Sequence, residues 1–128
     1  MNAATNLAEF DSKKYLNLET YRKNGAGVRT PVWFAAAPGP TLYVYSTAES
    51  GKAKRLRRTG AVKIAPSDAR GKVIGRWIDA HATITGDNEF TIGMRLLNRK
   101  YWPWKQILDL SVRFFARHQR VMIAIRPV

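Results

Sequence analysis

The chain has 128 residues, 45% hydrophobic and 24% charged, a balance that excludes a disordered or fibrous protein and suffices for a single domain, residues 1–128, with a buried core. Lysine and arginine outnumber aspartate and glutamate by 22 to 9, for a formal charge of +13, so the expected partner is anionic: nucleic acid, anionic lipid or a polyanionic small molecule. Cysteine is absent, which excludes disulfides, thiolate catalysis and cysteine-bound metals, and without a basic-apolar leader or a run of ~18 apolar residues the expectation is a soluble cytoplasmic protein.

Residues 1–14 are polar and read as an N-terminal arm or short helix. Tyr15 to Tyr21 alternates with period two and predicts a strand. The next segment, Arg22 to Gly27, carries the Asn24-Gly25 pair, a strong hairpin signal. Val28 to Ala36 then resumes the alternation, with Val28, Thr30, Val32 and Phe34 on one face. A Pro38-Gly39-Pro40 turn leads to a strand over 41–46, and the three strands together predict an antiparallel meander. Gly51 to Arg58, free of internal proline, predicts about two turns of helix ended by Thr59-Gly60. Ala61 to Ala65 reads as a strand and Pro66 to Lys72 as a turn. Arg76 to Ile84 is a longer strand with Ile78, Ala80, Ala82 and Ile84 facing one way and His81 the other. At Asp87, a residue suited to capping, the period becomes helical up to about Tyr101, with Ile92, Leu96 and Leu97 as the apolar stripe. Pro103 starts a further helix whose buried side is Ile107, Leu108, Leu110, Val112, Phe114 and Phe115, and Val121 to Ile125 closes the chain as a strand. This order, without an internal repeat, predicts a mainly β protein with α, of about six strands and two to three helices. A small Greek-key or split β-barrel fits, because closing the sheet removes exposed edges.

The chemistry concentrates in one place. Lys52, Lys54, Arg55, Arg57 and Arg58 crowd a short helix whose start follows Ser50-Gly51 and the strand-like Tyr43 to Thr47. Helix starts offer unpaired N–H groups and the positive end of the dipole, so a phosphate is the natural ligand; the rival reading is a solvated basic face. His81 and His118 lie far apart in sequence and on different elements, so no metal site is expected. Glu9, Asp11, Asp68, Asp87 and Glu89 fall in predicted loops, arms or caps, and no GxSxG, P-loop or GxGxxG motif occurs. A protein lacking a nucleophile, base and metal can still catalyse when a cofactor carries the reaction. Pro31 adds a physical pointer: mid-strand proline cannot donate to a ladder, so that segment should be an edge, a bulge or a place where another group approaches.

Thr20-Tyr21-Arg22-Lys23-Asn24-Gly25, Val28-Arg29-Thr30-Pro31-Val32-Trp33-Phe34, Leu42-Tyr43-Val44, Ser50 to Arg57, and Val62-Lys63-Ile64-Ala65-Pro66 with Arg70-Gly71 follow one another in that order. Together they resemble the pyridoxamine 5′-phosphate oxidase-like (FMN-binding) split β-barrels, and more narrowly the flavin/deazaflavin oxidoreductases that depend on coenzyme F420. The resemblance covers roughly residues 14–85. It implies a homodimer with a cofactor at each of two sites along the subunit interface. Thr30, Pro31, Val32 and Trp33 would lie by the tricyclic ring, and Ser46, Thr47, Ser50, Gly51, Lys52 and Arg55 would hold the phosphate. The implied reaction is hydride transfer from the reduced deazaflavin to an unsaturated or electrophilic small-molecule substrate. No covalent catalyst is needed, and a proton would come from solvent or a hydroxyl such as Tyr45.

The charge of +13 favours coenzyme F420 over FMN, because the F420 phosphate continues into a tail of several carboxylates. The departure from the family lies in Tyr101-Trp102-Pro103-Trp104-Lys105 and Phe114-Phe115-Ala116-Arg117. These suit packing on the barrel, a lid over an apolar substrate, or peripheral membrane contact through an aromatic and basic helix. FMN in the same fold is the nearest alternative. A single-stranded nucleic-acid-binding barrel and a non-catalytic cofactor carrier are the others. Nucleic acid is not the expected partner, since the cations gather in one helix rather than along several strands.

Overall fold

A computed structural model describes residues 7–10, 12–37, 39–47, 50–101 and 120–128. His118, the segment from Trp102 to Lys105 and the helix expected from Pro103 lie outside the described residues. After a short 3-10 turn, Ala8–Phe10, come the strands β1 (Tyr15–Tyr21), β2 (Gly27–Trp33), β3 (Ala35–Ala37) and β4 (Thr41–Thr47). Helix α1 (Gly51–Arg58), strands β5 (Ala61–Ser67) and β6 (Ile78–Ile84), helix α2 (Asp87–Tyr101) and strand β7 (Arg120–Pro127) follow. The strands form one antiparallel sheet in the order β2-β1-β5-β6-β7-β4-β3.

The strand expected over 28–36 is in fact two, and this corrects the expected meander. Among the described residues β2 pairs only with β1, from Gly27 opposite Tyr21 to Trp33 opposite Tyr15, whereas β3 pairs with β4, Ala35 opposite Tyr43. The two edges of the sheet are therefore joined through a single residue, Phe34, and the sheet has to curl until they meet. At the break, side chains replace the ladder. The Phe34 N–H donates to Tyr101 Oη at 3.0 Å, and the Phe34 carbonyl accepts from Lys100 Nζ at 2.9 Å. The Tyr101 hydroxyl also lies 2.8 Å from that carbonyl and 2.5 Å from the Lys14 carbonyl, one of which takes its proton.

Inside the curl, Leu16, Leu18, Phe34, Val44, Ile64, Ala82, Ile123 and Ile125 form the main core, joined by Phe10 of the N-terminal turn. The opposite face of β3, β4 and β7 is covered by α2, where Tyr43, Leu97, Tyr101, Met122 and Ala124 pack together. Both faces of β7 are thus buried, which accounts for the unbroken apolar run from Val121 to Ile125. The buried line of α2 is Gly93, Leu97 and Tyr101, four residues apart; of the expected stripe Leu97 is fully buried and Leu96 packs partly buried beside it, whereas Ile92 is 45% exposed. The reason is close approach: a Cβ on Gly93 would stand 2.7 Å from the Met122 sulfur, so the helix seats its glycine on β7. Asp87 is the first helical residue, one position inside the expected cap, with Gly86 accepting from the Phe90 N–H.

The turn expected from Pro66 starts two residues later. Pro66 and Ser67 belong to β5, where they pair with β1 beyond the reach of β6, so the missing N–H of Pro66 costs no ladder bond on that side. No helix among the described residues is long and apolar enough to cross a membrane.

Candidate functional site

Helix α1 is fastened by Ala53 and Leu56, which are buried, and its polar side is left to cations with no acidic residue in its first turn. Ser50 has the extended backbone of an N-cap, and its Oγ accepts from the Ala53 N–H at 3.1 Å. Ser46, reaching across from β4, has its hydroxyl 2.8 Å from Ser50 Oγ. A hollow of about 490 Å³ opens at this helix start, lined by Val32 and Trp33 at the end of β2, Tyr45, Ser46 and Thr47 of β4, Ser50 and Lys52. These are residues the sequence singled out, brought together from three elements.

Four expected members, Thr30, Pro31, Gly51 and Arg55, do not line this hollow. Thr30 and Pro31 lie further back along β2 and do not line the hollow; β2 is a sheet edge, as the proline requires, with Pro31 opposite the buried Asn17 of β1. Arg55 turns away: its Nε donates to the buried Thr20 hydroxyl at 2.6 Å, and its guanidinium joins Arg22, Lys23, Lys54, Arg57 and Arg58 around a neighbouring basic hollow of about 790 Å³. Gly51 makes room for that turn, since a Cβ there would lie 2.8 Å from Arg55 Nη1. Arg120 of β7 is the residue that sequence reasoning missed. It lines the first hollow opposite Thr47, with its guanidinium 5.5 Å from the Tyr45 ring centroid. Its only sequence signal is a cation at the start of a strand, and the β4–β7 pairing that gives it meaning spans the chain.

The electrostatics suit an anion. Burial and then the neighbouring Arg55 lower the Lys52 pKa, and burial followed by Arg22 lowers that of Arg55, so each ammonium or guanidinium would gain from an arriving negative charge. No aspartate or glutamate is among the described residues lining either hollow. The ring wall is fixed from behind, because the Trp33 indole stacks on Tyr101 with centroids 4.5 Å apart and planes 8° from parallel. Among the described residues no three His, Cys, Asp or Glu side chains gather as metal ligands, and His81 is exposed on β6.

Ser50 separates helix capping from ligand binding. Ser50→Ala is expected to cost about 1 kcal/mol of stability through the lost cap. Ser50→Asp keeps the cap and the stability but sets a negative charge in the hollow, so anion affinity should fall while the unfolding midpoint holds. Thermal denaturation and a phosphate-ligand titration on both variants check this; equal anion binding by Ser50→Asp and the parent would remove the helix start from the site.

A curled antiparallel sheet closed through a bent edge strand, with a capped helix directly after β4, is the architecture of the pyridoxamine 5′-phosphate oxidase-like split barrels, and the chain has that fold. No protein-family model matches the chain, and no curated protein matches it. Among solved structures it is similar to a conserved hypothetical protein from Mycobacterium tuberculosis, with a TM-score of 0.67 and 20% identity over all of this chain and 80% of that one. A candidate pyridoxamine 5′-phosphate oxidase from Listeria innocua gives a TM-score of 0.62 at 17% identity, covering 98% of this chain and 92% of its own. A protein named F420 reductase gives 0.61 at 19% identity over 95% and 92% of the two chains. At these identities the likeness is one of fold.

Proposed function

We propose that the hollow between β2, β4 and the start of α1 binds coenzyme F420, and that the chain is a dimeric oxidoreductase acting on an unsaturated or electrophilic small organic molecule. The observation that carries this reading is the meeting of Val32 and Trp33 with Ser46, Thr47, Ser50 and Lys52 in one hollow. An aromatic and aliphatic wall beside hydroxyls, a capped helix start and a desolvated ammonium fits a ring joined to a phosphate. The presence of an F420 reductase among similar folds supports the choice of cofactor.

When bound, the reduced deazaflavin supplies the hydride. The protein's part is to hold and orient. The Ser46, Thr47 and Ser50 hydroxyls and Lys52 would bind the phosphate, Val32 and Trp33 would fix the ring plane, and the Tyr45 hydroxyl would hold the proton the product needs. FMN in the same hollow is the second reading. The six cations around the neighbouring basic hollow favour F420, since FMN has no charge beyond its phosphate to engage them, whereas the carboxylate tail of F420 does.

The test is a titration of the purified protein with coenzyme F420, FMN and single-stranded RNA at ~50 and ~200 mM salt, with light scattering on the same samples. F420 should bind most tightly with a modest salt loss, to a dimer. A groove neutralising 6–10 phosphates would instead lose about 10³–10⁵ in affinity over that range. Tight RNA binding with that steep loss, and no affinity for F420 or FMN, would overturn the oxidoreductase reading. A monomer that binds F420 at full affinity would overturn the shared interface site.

A further inference from the structure

A third cavity, of about 540 Å³, lies at the other end of β4, lined by Leu7 and Phe10 of the N-terminal turn, Phe34, Ala36, Leu42 and the α2 residue Leu96. It shares no lining residue with the hollow at α1. The wall is mostly apolar, with Ser12 among its residues, and α2 brings the exposed Arg99 and Lys100 to it. No carboxylate is among the described residues that line it. Lys100 Nζ is held in place: it donates to the Phe34 carbonyl at 2.9 Å and stands 3.4 Å from the Phe34 ring centroid. That carbonyl takes one of three ammonium protons. Partial desolvation of the ammonium against the ring and backbone lowers its pKa to about 8, a cost that an arriving anion would relieve.

We propose that this cavity is a separate ligand site for an apolar carboxylate such as a phenylalkanoate, its carboxylate received by Lys100 and Arg99 and its body by the accessible apolar wall of Ala36, Ala37 and Leu96. A neutral apolar ligand would leave both cations unused. A polyanion would set charges against the apolar wall without partners. A body with one compact charge satisfies both, and the volume is within the range of small-molecule pockets. The site does not rest on the cofactor reading, because its lining and that of the hollow holding Trp33 have no residue in common.

The test uses 3-phenylpropionate and its neutral analogue 3-phenylpropan-1-ol as probes, titrated calorimetrically into the full chain. The acid should bind roughly tenfold or more tightly than the alcohol, the scale of a charge-assisted hydrogen bond. Lys100→Met, which keeps the packed stem, should bring the acid to the level of the alcohol. Leu96→Trp, which fills the cavity and keeps both cations, should abolish binding of both. Lys52→Ala should leave acid binding unchanged while it weakens phosphate ligands. Equal acid affinity in the parent and Lys100→Met would overturn the proposal. So would loss of acid binding in Lys52→Ala, or no saturable binding of either probe by the parent.

Discussion

Phe34→Ala is expected to destabilise the protein by about 3–5 kcal/mol, the cost of removing a large buried aromatic and leaving a void. The side chain is 1% exposed and meets the Phe10 ring edge-on, with centroids 6.0 Å apart at 85°. It also fills the core at the one residue where β2 gives way to β3, so its loss loosens the seam as well as the interior. Phe34→Leu, closer in volume, should lose much less. Urea denaturation followed by near-UV circular dichroism measures both; a loss below ~1 kcal/mol for the alanine variant would mean that the seam is held by the Tyr101 and Lys100 hydrogen bonds instead of by packing.

Lys52→Ala is expected to weaken binding of the phosphorylated cofactor by about 1.5–3 kcal/mol, some 10–150-fold, with little change in stability. Lys52 lines the hollow and is already partly desolvated, so its contribution to an anion is stronger than that of a fully hydrated lysine. Arg58 gives the contrast. It donates to the Tyr21 carbonyl at 2.6 Å and lines only the basic hollow, so Arg58→Ala should leave FMN affinity nearly unchanged and reduce F420 affinity modestly. Isothermal titration of the two variants with both cofactors separates these roles. Parent-like affinity of Lys52→Ala would take the phosphate out of this hollow.

Local chemistry made several elements readable. β1 from Tyr15 to Tyr21, α1 from Gly51 to Arg58 and the reach of α2 to Tyr101 follow from alternation, glycine and helical period within each segment. The break at Phe34 could not be read that way, because it is fixed by a hydroxyl 67 residues away whose hydrogen bonds replace the ladder. The same division holds in the site. Ser50 and Lys52 announce a helix start in their own chemistry, whereas Val32 and Trp33 were expected from the family resemblance, with the edge proline Pro31 beside them as the physical pointer. Arg55 was misplaced because its side chain follows Gly51 and Thr20 rather than helical spacing, and Arg120 was invisible because its neighbours belong to a strand paired across the sheet.

The seam at Phe34 also bears on how the sheet can assemble. In an open sheet the outermost strands are independent ribbons, each able to recruit a strand from another molecule. Here those ribbons are one continuous stretch, Gly27 to Ala37, so bringing them together closes almost no loop and carries almost no chain-entropy penalty. The costly closures are between β1 and β5, between β6 and β7 and between β4 and β7, all far apart in sequence. Once those form, both rims arrive already tethered, with Pro31 interrupting the donors along one of them. The stretch that would otherwise invite aggregation becomes the hinge pin of the barrel.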